Sequence, residues 1–275
     1  MDSSRAAYDL IRDRVNWSTL KTILRSPAHY KHGLSHPTED KPQFAFGRAV
    51  HVRVLEAESF CDRYQVWTGG RRAGKEWEAW KAERGGFEIL TDDENLHSAR
   101  VADAVRLDGA AGDLLLGART EQTMLWTDAE TGIACKGRAD AITDRCLTDL
   151  KTCRDASPRA FGRASAAYTY HAQLAFYLDG AIASGAVNAG ADAAIIAVET
   201  DAPHVVQVYI LNDDALECGR AVYREMLTTL KVCRERNEWP GYAVGSMDLA
   251  LPAWAFGSDE DLSGSDLDFS KEAAP

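Results

Sequence analysis

Two short segments, Gly137-Arg138-Ala139-Asp140 and Asp149-Leu150-Lys151-Thr152, constrain this 275-residue chain more than anything else in it. Their pattern predicts that Asp140 ends one strand and Asp149 lies in the next, with a turn through Asp144-Arg145 between them. Neighbouring strands run about 4.8 Å apart, so two carboxylates placed this way can approach within a few ångströms. Strand side chains alternate, so Asp149 and Lys151 project from one face. Two carboxylates and an ammonium on one surface can hold a divalent cation against a phosphate and stabilise developing negative charge. The same residues could also form an ordinary surface ion pair worth ~0–1 kcal/mol. Spacing alone leaves both readings open.

The flanking periodicities supply the frame. Ser18 is expected to cap a short helix running to Leu24, and Ser26-Pro27 to start another. Residues 34–42 read as a loop. Residues 44–56 read as a helix with Phe44, Gly47, His51, Val54 and Leu55 on one face. Residues 68–75 (TGGRRAGK) form a glycine- and base-rich loop. Helices are expected near 75–84 and 91–107, the second opened by a Thr91–Glu94 capping box. Residues 121–127 and 132–143 read as a hairpin turning at 128–131, and 146–152 as a third strand. Helices at 157–166 and 169–184, strands at 192–200 and 204–211, and a helix over 213–237 complete the pattern. No internal repeat is visible. The order predicts an α/β fold with a mixed central sheet flanked by helices and a helical N-terminal part. One domain is expected over 1–257, with its helical part at about 1–117 and its core at about 118–240. Residues 258–275 read as an acidic, disordered tail.

A phosphate-facing reading has to be weighed against the charge. The net charge is −11. Six acids against Lys271 in the tail account for −5, leaving about −6 for the body. Carboxylates gathered at a cation site contribute to that excess, because a bound cation reverses the local sign. The balance argues against a broad electrostatic nucleic-acid binder and leaves room for local basic patches. Six cysteines show no CxxC spacing and no accompanying His pair, so free, mostly buried thiols are expected rather than a zinc site. The N-terminal stretch carries charge throughout and has no apolar core, and the longest apolar run spans Ala193 to Val198. A secretory signal and a membrane helix are therefore not expected, and a cytoplasmic location is.

Taken together, GRAD-x(8)-DLKT resembles motifs II and III of the PD-(D/E)xK nucleases, most closely the RecE-like, exonuclease VIII type found in phages and prophages. The resemblance runs from about Trp17 to Trp254. It includes WSTLKTILRSPAHY at 17–30, FGRAVHVRVLE at 46–56, GIACKGRAD at 132–140, DLKT at 149–152, QLAFY at 173–177 and WPGY at 239–242. It implies a restriction-endonuclease-like core and a metal site of His51, Asp140, Asp149 and the Leu150 carbonyl, with Glu121 as a supporting carboxylate. Lys151 would act as the catalytic lysine, with Gln173 and Tyr177 matching a QxxxY element on one helix face. Arg48, Arg138, Arg71, Arg72 and Lys75 are candidate phosphate contacts. The implied cofactor is Mg²⁺, with Mn²⁺ as a substitute. The implied reaction is digestion of linear duplex DNA from 5′ ends, leaving 3′ overhangs for a single-strand annealing recombinase. A ring-forming homo-oligomer, trimer or tetramer, in a bacterial host cell is implied as well. Two departures sharpen this. Ala139 replaces the motif II proline. Ser26 stands where iron–sulfur relatives carry their first cysteine, so no cluster is expected. No GxxxxGK[ST] is present, so no need for ATP is expected. The alternatives are a structure-specific endonuclease or Cas4-like end trimmer, and a non-catalytic DNA-binding protein that keeps the fold.

Overall fold

A computed structural model of the protein describes residues 5–36, 42–242, 245–251 and 255. The expected tail at 258–275 lies outside the described residues, as does the 37–41 part of the expected loop.

The N-terminal part is helical: α1 (Arg5–Leu10), α2 (Trp17–Leu20), α3 (Pro27–Ser35), α4 (Pro42–Leu55) and α5 (Phe60–Arg63). Next come β1 (Tyr64–Trp67), α6 (Lys75–Ala82), β2 (Glu88–Thr91), α7 (Asp92–Leu107) and α8 (Gly109–Leu115). The core follows with β3 (Arg119–Thr127), β4 (Ala134–Ile142), β5 (Cys146–Cys153), α9 (Pro158–Ala167), α10 (Tyr170–Ala183), β6 (Asp192–Glu199), β7 (Val206–Ile210) and α11 (Asp213–Arg236). Most expected elements stand within a few residues of their predicted bounds. Three do not. The cap of α2 is Asn16, whose side chain accepts from the Thr19 backbone at 2.9 Å, and the Ser18 hydroxyl donates to that same oxygen. The TGGRRAGK loop links β1 to α6, and β1 pairs in parallel with β2, a two-stranded sheet with no signature in the sequence pattern. Helix α8 was likewise not expected.

Local chemistry explains several of the starts. Thr91 and Glu94 form the reciprocal capping box over α7, at 3.1 and 2.8 Å. Ser26 caps α3 with Pro27 in its first turn, where a missing N–H costs nothing. Asn212 caps α11 through the Ala215 N–H at 3.0 Å.

The main sheet has the order β3-β4-β5-β6-β7, parallel between β5 and β6 and antiparallel elsewhere. Strand β6 reads as a continuous apolar run because both its faces are covered. Ala193, Ile195 and Ala197 join the core built on α10 and α11, including Phe176, Leu174 and Leu227. Ile196 and Val198 join a second core with Leu150, Val50 of α4 and Val101 and Val105 of α7. Each fully buried Val, Leu, Ile or Phe side chain among these stabilises the fold by about 1.5–3 kcal/mol. Helices therefore flank both faces of a mixed sheet. Among the described residues the six cysteines are free; Cys135, Cys146 and Cys233 are buried, while Cys61 and Cys218 are exposed. No described helix is long and apolar enough to cross a membrane.

Candidate active site

The site begins where a ladder stops. Strands β4 and β5 pair only at Ala141–Thr148 and Ile142–Leu147. Asp140 and Asp149 would be the next pair, and there the strands part. Asp140 Oδ2 accepts the Leu150 N–H at 2.8 Å, so a side chain takes over from the missing ladder bond. Asp140 thus sits two residues before the end of β4, slightly inside the strand end expected for it. On its other edge β5 stays paired with β6 from Cys146 to Cys153.

Both sheet faces feed this opening. From one side α4 carries His51, whose Nδ1 lies 3.6 Å from Asp140 Oδ2. The helix can come this close because of Gly47: a Cβ there would stand 3.4 Å from Thr152 Oγ1 on β5. From the other side α10 brings Gln173, whose Nε2 is 3.4 Å from Asp149 Oδ1. Tyr177, one turn on, lies over Gly137, where any Cβ would meet its ring at 3.1 Å. That contact gives the glycine of the GRAD segment a packing reason.

Glu121 arrives by a backbone distortion. It stands across from Asp140 in the register set by Thr120–Ala141 and Gln122–Ala139, and its φ is 53°. A left-handed non-glycine residue costs about 1–2 kcal/mol, and such strain concentrates at functional sites. The result is that His51, Glu121 and Asp140 offer ligand atoms all within 4.8 Å of one another. Buried Arg138 ion-pairs with Glu121 and holds its carboxylate in place.

Asp149 and Lys151 form the second half. Lys151 Nζ is 2.5 Å from Asp149 Oδ2, an oxygen with no other hydrogen-bond partner, and it also lies 5.0 Å from the Tyr170 ring centre. Burial and the neighbouring Asp149 hold the Asp140 carboxyl well above the usual carboxylate range. Burial, then Lys151, pushes the His51 imidazole down, which favours the neutral form that ligates metals. Burial opposes charge on Lys151, but Asp149 and Asp140 outweigh it and the ammonium is held up. Burial raises the Tyr177 phenol well above its ordinary value.

This donor set fits a divalent cation. An octahedral ion with bonds of about 2.1 Å sets its ligands roughly 3–4 Å apart. One imidazole nitrogen and two carboxylates near that spacing, with an excess of negative charge pressing on Asp140, suit such an ion. Asp149 stands outside this trio, committed to Lys151 and Gln173.

The surrounding cleft encloses about 850 Å³. Arg48 and Arg138 line it. Arg71, Arg72 and Lys75 do not; Arg72 is turned to Glu94 at 2.5 Å and to the Ile89 carbonyl at 2.7 Å. Other lining residues had no sequence signal: Arg5, Tyr8, Glu56, Arg63, Tyr64 and Glu88. They reach the cleft through α1, the α4–α5 connection, α5 and the β1–β2 pair, and no local spacing announces that.

A family model for a PDDEXK-like domain of unknown function, DUF3799, matches residues 16–249. The chain belongs to this family. Its fold is similar to that of a “putative exonuclease” from Eubacterium rectale, at 13% identity over 97% of this chain and 98% of the other, with a TM-score of 0.61. A second solved structure, SSO0001, is 19% identical over 78% of this chain and 85% of its own, but its TM-score of 0.30 carries no argument. No curated protein matches. Family and fold together support a nuclease.

Proposed function

We propose that the chain is a metal-dependent exodeoxyribonuclease that hydrolyses linear double-stranded DNA. The observation that carries this reading is the adjacency of the His51–Glu121–Asp140 trio to the Asp149–Lys151 pair inside one cleft. His51, Glu121 and Asp140 would hold Mg²⁺ or Mn²⁺, with Asp149 and the Leu150 carbonyl as the remaining expected ligands. The cation supplies Lewis-acid polarisation of the phosphodiester and eases deprotonation of water. Lys151 orients the attacking water and stabilises negative charge on the phosphate as it develops. Gln173 fixes the Asp149 carboxylate that holds the ammonium, and Arg138 fixes Glu121.

The finer reading follows the RecE-like resemblance. Digestion would run 5′ to 3′ and leave 3′ overhangs for an annealing recombinase. The working form would be a ring-shaped homo-oligomer in a bacterial cell carrying phage or prophage genes.

End-labelled linear duplex and covalently closed circular DNA, incubated with and without Mg²⁺, test both levels. Expected are Mg²⁺-dependent loss of the linear form, an intact circle, and release of the 5′ label first. Asp149→Ala should lower the rate by about 10⁴-fold, the scale of removing one member of a catalytic unit. Digestion that survives this change, or is absent in the wild type, sinks the assignment. A nicked circle turns it into an endonuclease, and native mass measurement reads the oligomer.

A further inference from the structure

Among the described residues, the lining of the cleft has no net positive charge with which to draw a polyanion. Its lining holds Arg5, Arg48, Arg63, Arg138 and Lys151 against Glu56, Glu88, Glu121, Asp140 and Asp149, five against five. Two of these pairs stand apart from the rest. Arg48 reaches Glu88 through Nη2 at 2.7 Å and Nε at 3.2 and 3.3 Å. Arg63 makes a two-pronged pair with Glu56, at 2.8 and 2.5 Å. Arg48 and Glu88 are 39% and 40% exposed and Arg63 is 36% exposed against a more buried Glu56 at 18%, whereas Arg138, which holds Glu121, is 6% exposed at its side chain.

Exposure separates a fixed pair from an exchangeable one. An ion pair is weak where water competes for its partners, and water reaches both members of the Arg48–Glu88 pair and the guanidinium of Arg63. A guanidinium fork presents the same two parallel donors to a carboxylate as to a phosphate. Placement completes the argument. Arg48 is one turn before the candidate ligand His51 on α4, and Arg63 lies within electrostatic range of Glu121. A DNA backbone passing the metal trio would meet both forks.

We propose that Arg48 and Arg63 form a phosphate subsite of the cleft, held in the free protein by Glu88 and Glu56 acting as stand-ins that give way to DNA backbone phosphates. This rests on the deoxyribonuclease reading above. The glutamates keep two arginines extended and aimed in the free protein. They also impose a competition that any bound DNA must win, and this weakens binding that is merely electrostatic.

The test is equilibrium binding of a short fluorescein-labelled duplex to the full chain, with Ca²⁺ in place of Mg²⁺ to leave the duplex uncut. Glu56→Gln and Glu88→Gln should each tighten binding by about 3- to 10-fold and steepen the log–log salt dependence by about one contact. Arg63→Gln should weaken binding by about 10-fold, and in that background Glu56→Gln should no longer tighten it. Glu78→Gln, the same charge change on α6 outside the cleft, is the control and should leave affinity near the wild-type value. Melting curves identify any variant that fails to fold, and the Glu56 and Glu88 arms each carry the test alone. The subsite is overturned if neither glutamine variant tightens binding, if Glu78→Gln tightens it equally, or if Glu56→Gln still tightens it without Arg63. A wild type that digests DNA while the glutamine variants bind unchanged removes only the subsite. A wild type that neither binds nor digests duplex removes the nuclease reading with it.

Discussion

The two edges of β5 behave in opposite ways. Towards β6 it is zipped along its whole length, from Cys146–Asp192 to Cys153–Glu199. Towards β4 it is paired at two positions and then opens, with Asp140 reaching across to the Leu150 N–H. Along the closed edge the β6 residues from Ala193 to Val198 are buried and apolar, shared between two cores. The open edge gathers Asp140, Asp149, Glu121 and His51, whose mutual repulsion and burial a packed ladder could not accommodate. One strand thus anchors the site by its back while its front stays unpaired.

Breaking the closed edge should cost the most. Ile196 is fully buried between Leu150 and Val208 in the register. Ile196→Ala should lower stability by about 2–5 kcal/mol, seen as a fall in melting midpoint of roughly 5–15 °C. Activity per folded molecule should hold, and a parallel loss would show that the two edges are not separable. The open edge should respond to cation instead. At Mg²⁺ or Mn²⁺ about 100-fold above its dissociation constant, the wild type should gain about 2.7 kcal/mol. Asp140→Asn should lose most of that gain while Ile196→Ala keeps it. A wild-type midpoint indifferent to both ions would detach the opening from metal binding. The smallest effect is expected at the joint between edge and helix. Gly137→Ala puts a methyl 3.1 Å from Met124 Cε and the Tyr177 ring. It should cost about 1 kcal/mol, read from the urea midpoint, and an unchanged midpoint would mean that Tyr177 moves aside freely.

Much of this arrangement is legible along the chain. The alternation of Asp149 and Lys151, the four-residue step from Gln173 to Tyr177 and the Thr91–Glu94 cap are local rules, and the structure obeys them. The expected phosphate contacts Arg71, Arg72 and Lys75 lie outside the lining of the cleft, because local basicity says nothing about which way a loop turns. Glu56, Arg63 and Glu88 were invisible for the converse reason. Arg48 and Glu88 are forty positions apart, and only the packing of the β1–β2 pair beside α4 makes them partners.

The sequence by itself determined the mixed α/β order, the starts at Ser26-Pro27 and Thr91–Glu94, and the shared face of Asp149 and Lys151, because each follows from local chemistry or from the repeat of a helix or strand. Tertiary structure alone decided that His51, Glu121 and Asp140 form one trio, with Asp149 turned to Lys151. That grouping depends on a single left-handed residue and on a ladder ending two pairs in. It also depends on a helix approaching over a glycine, and none of these carries a period in the chain.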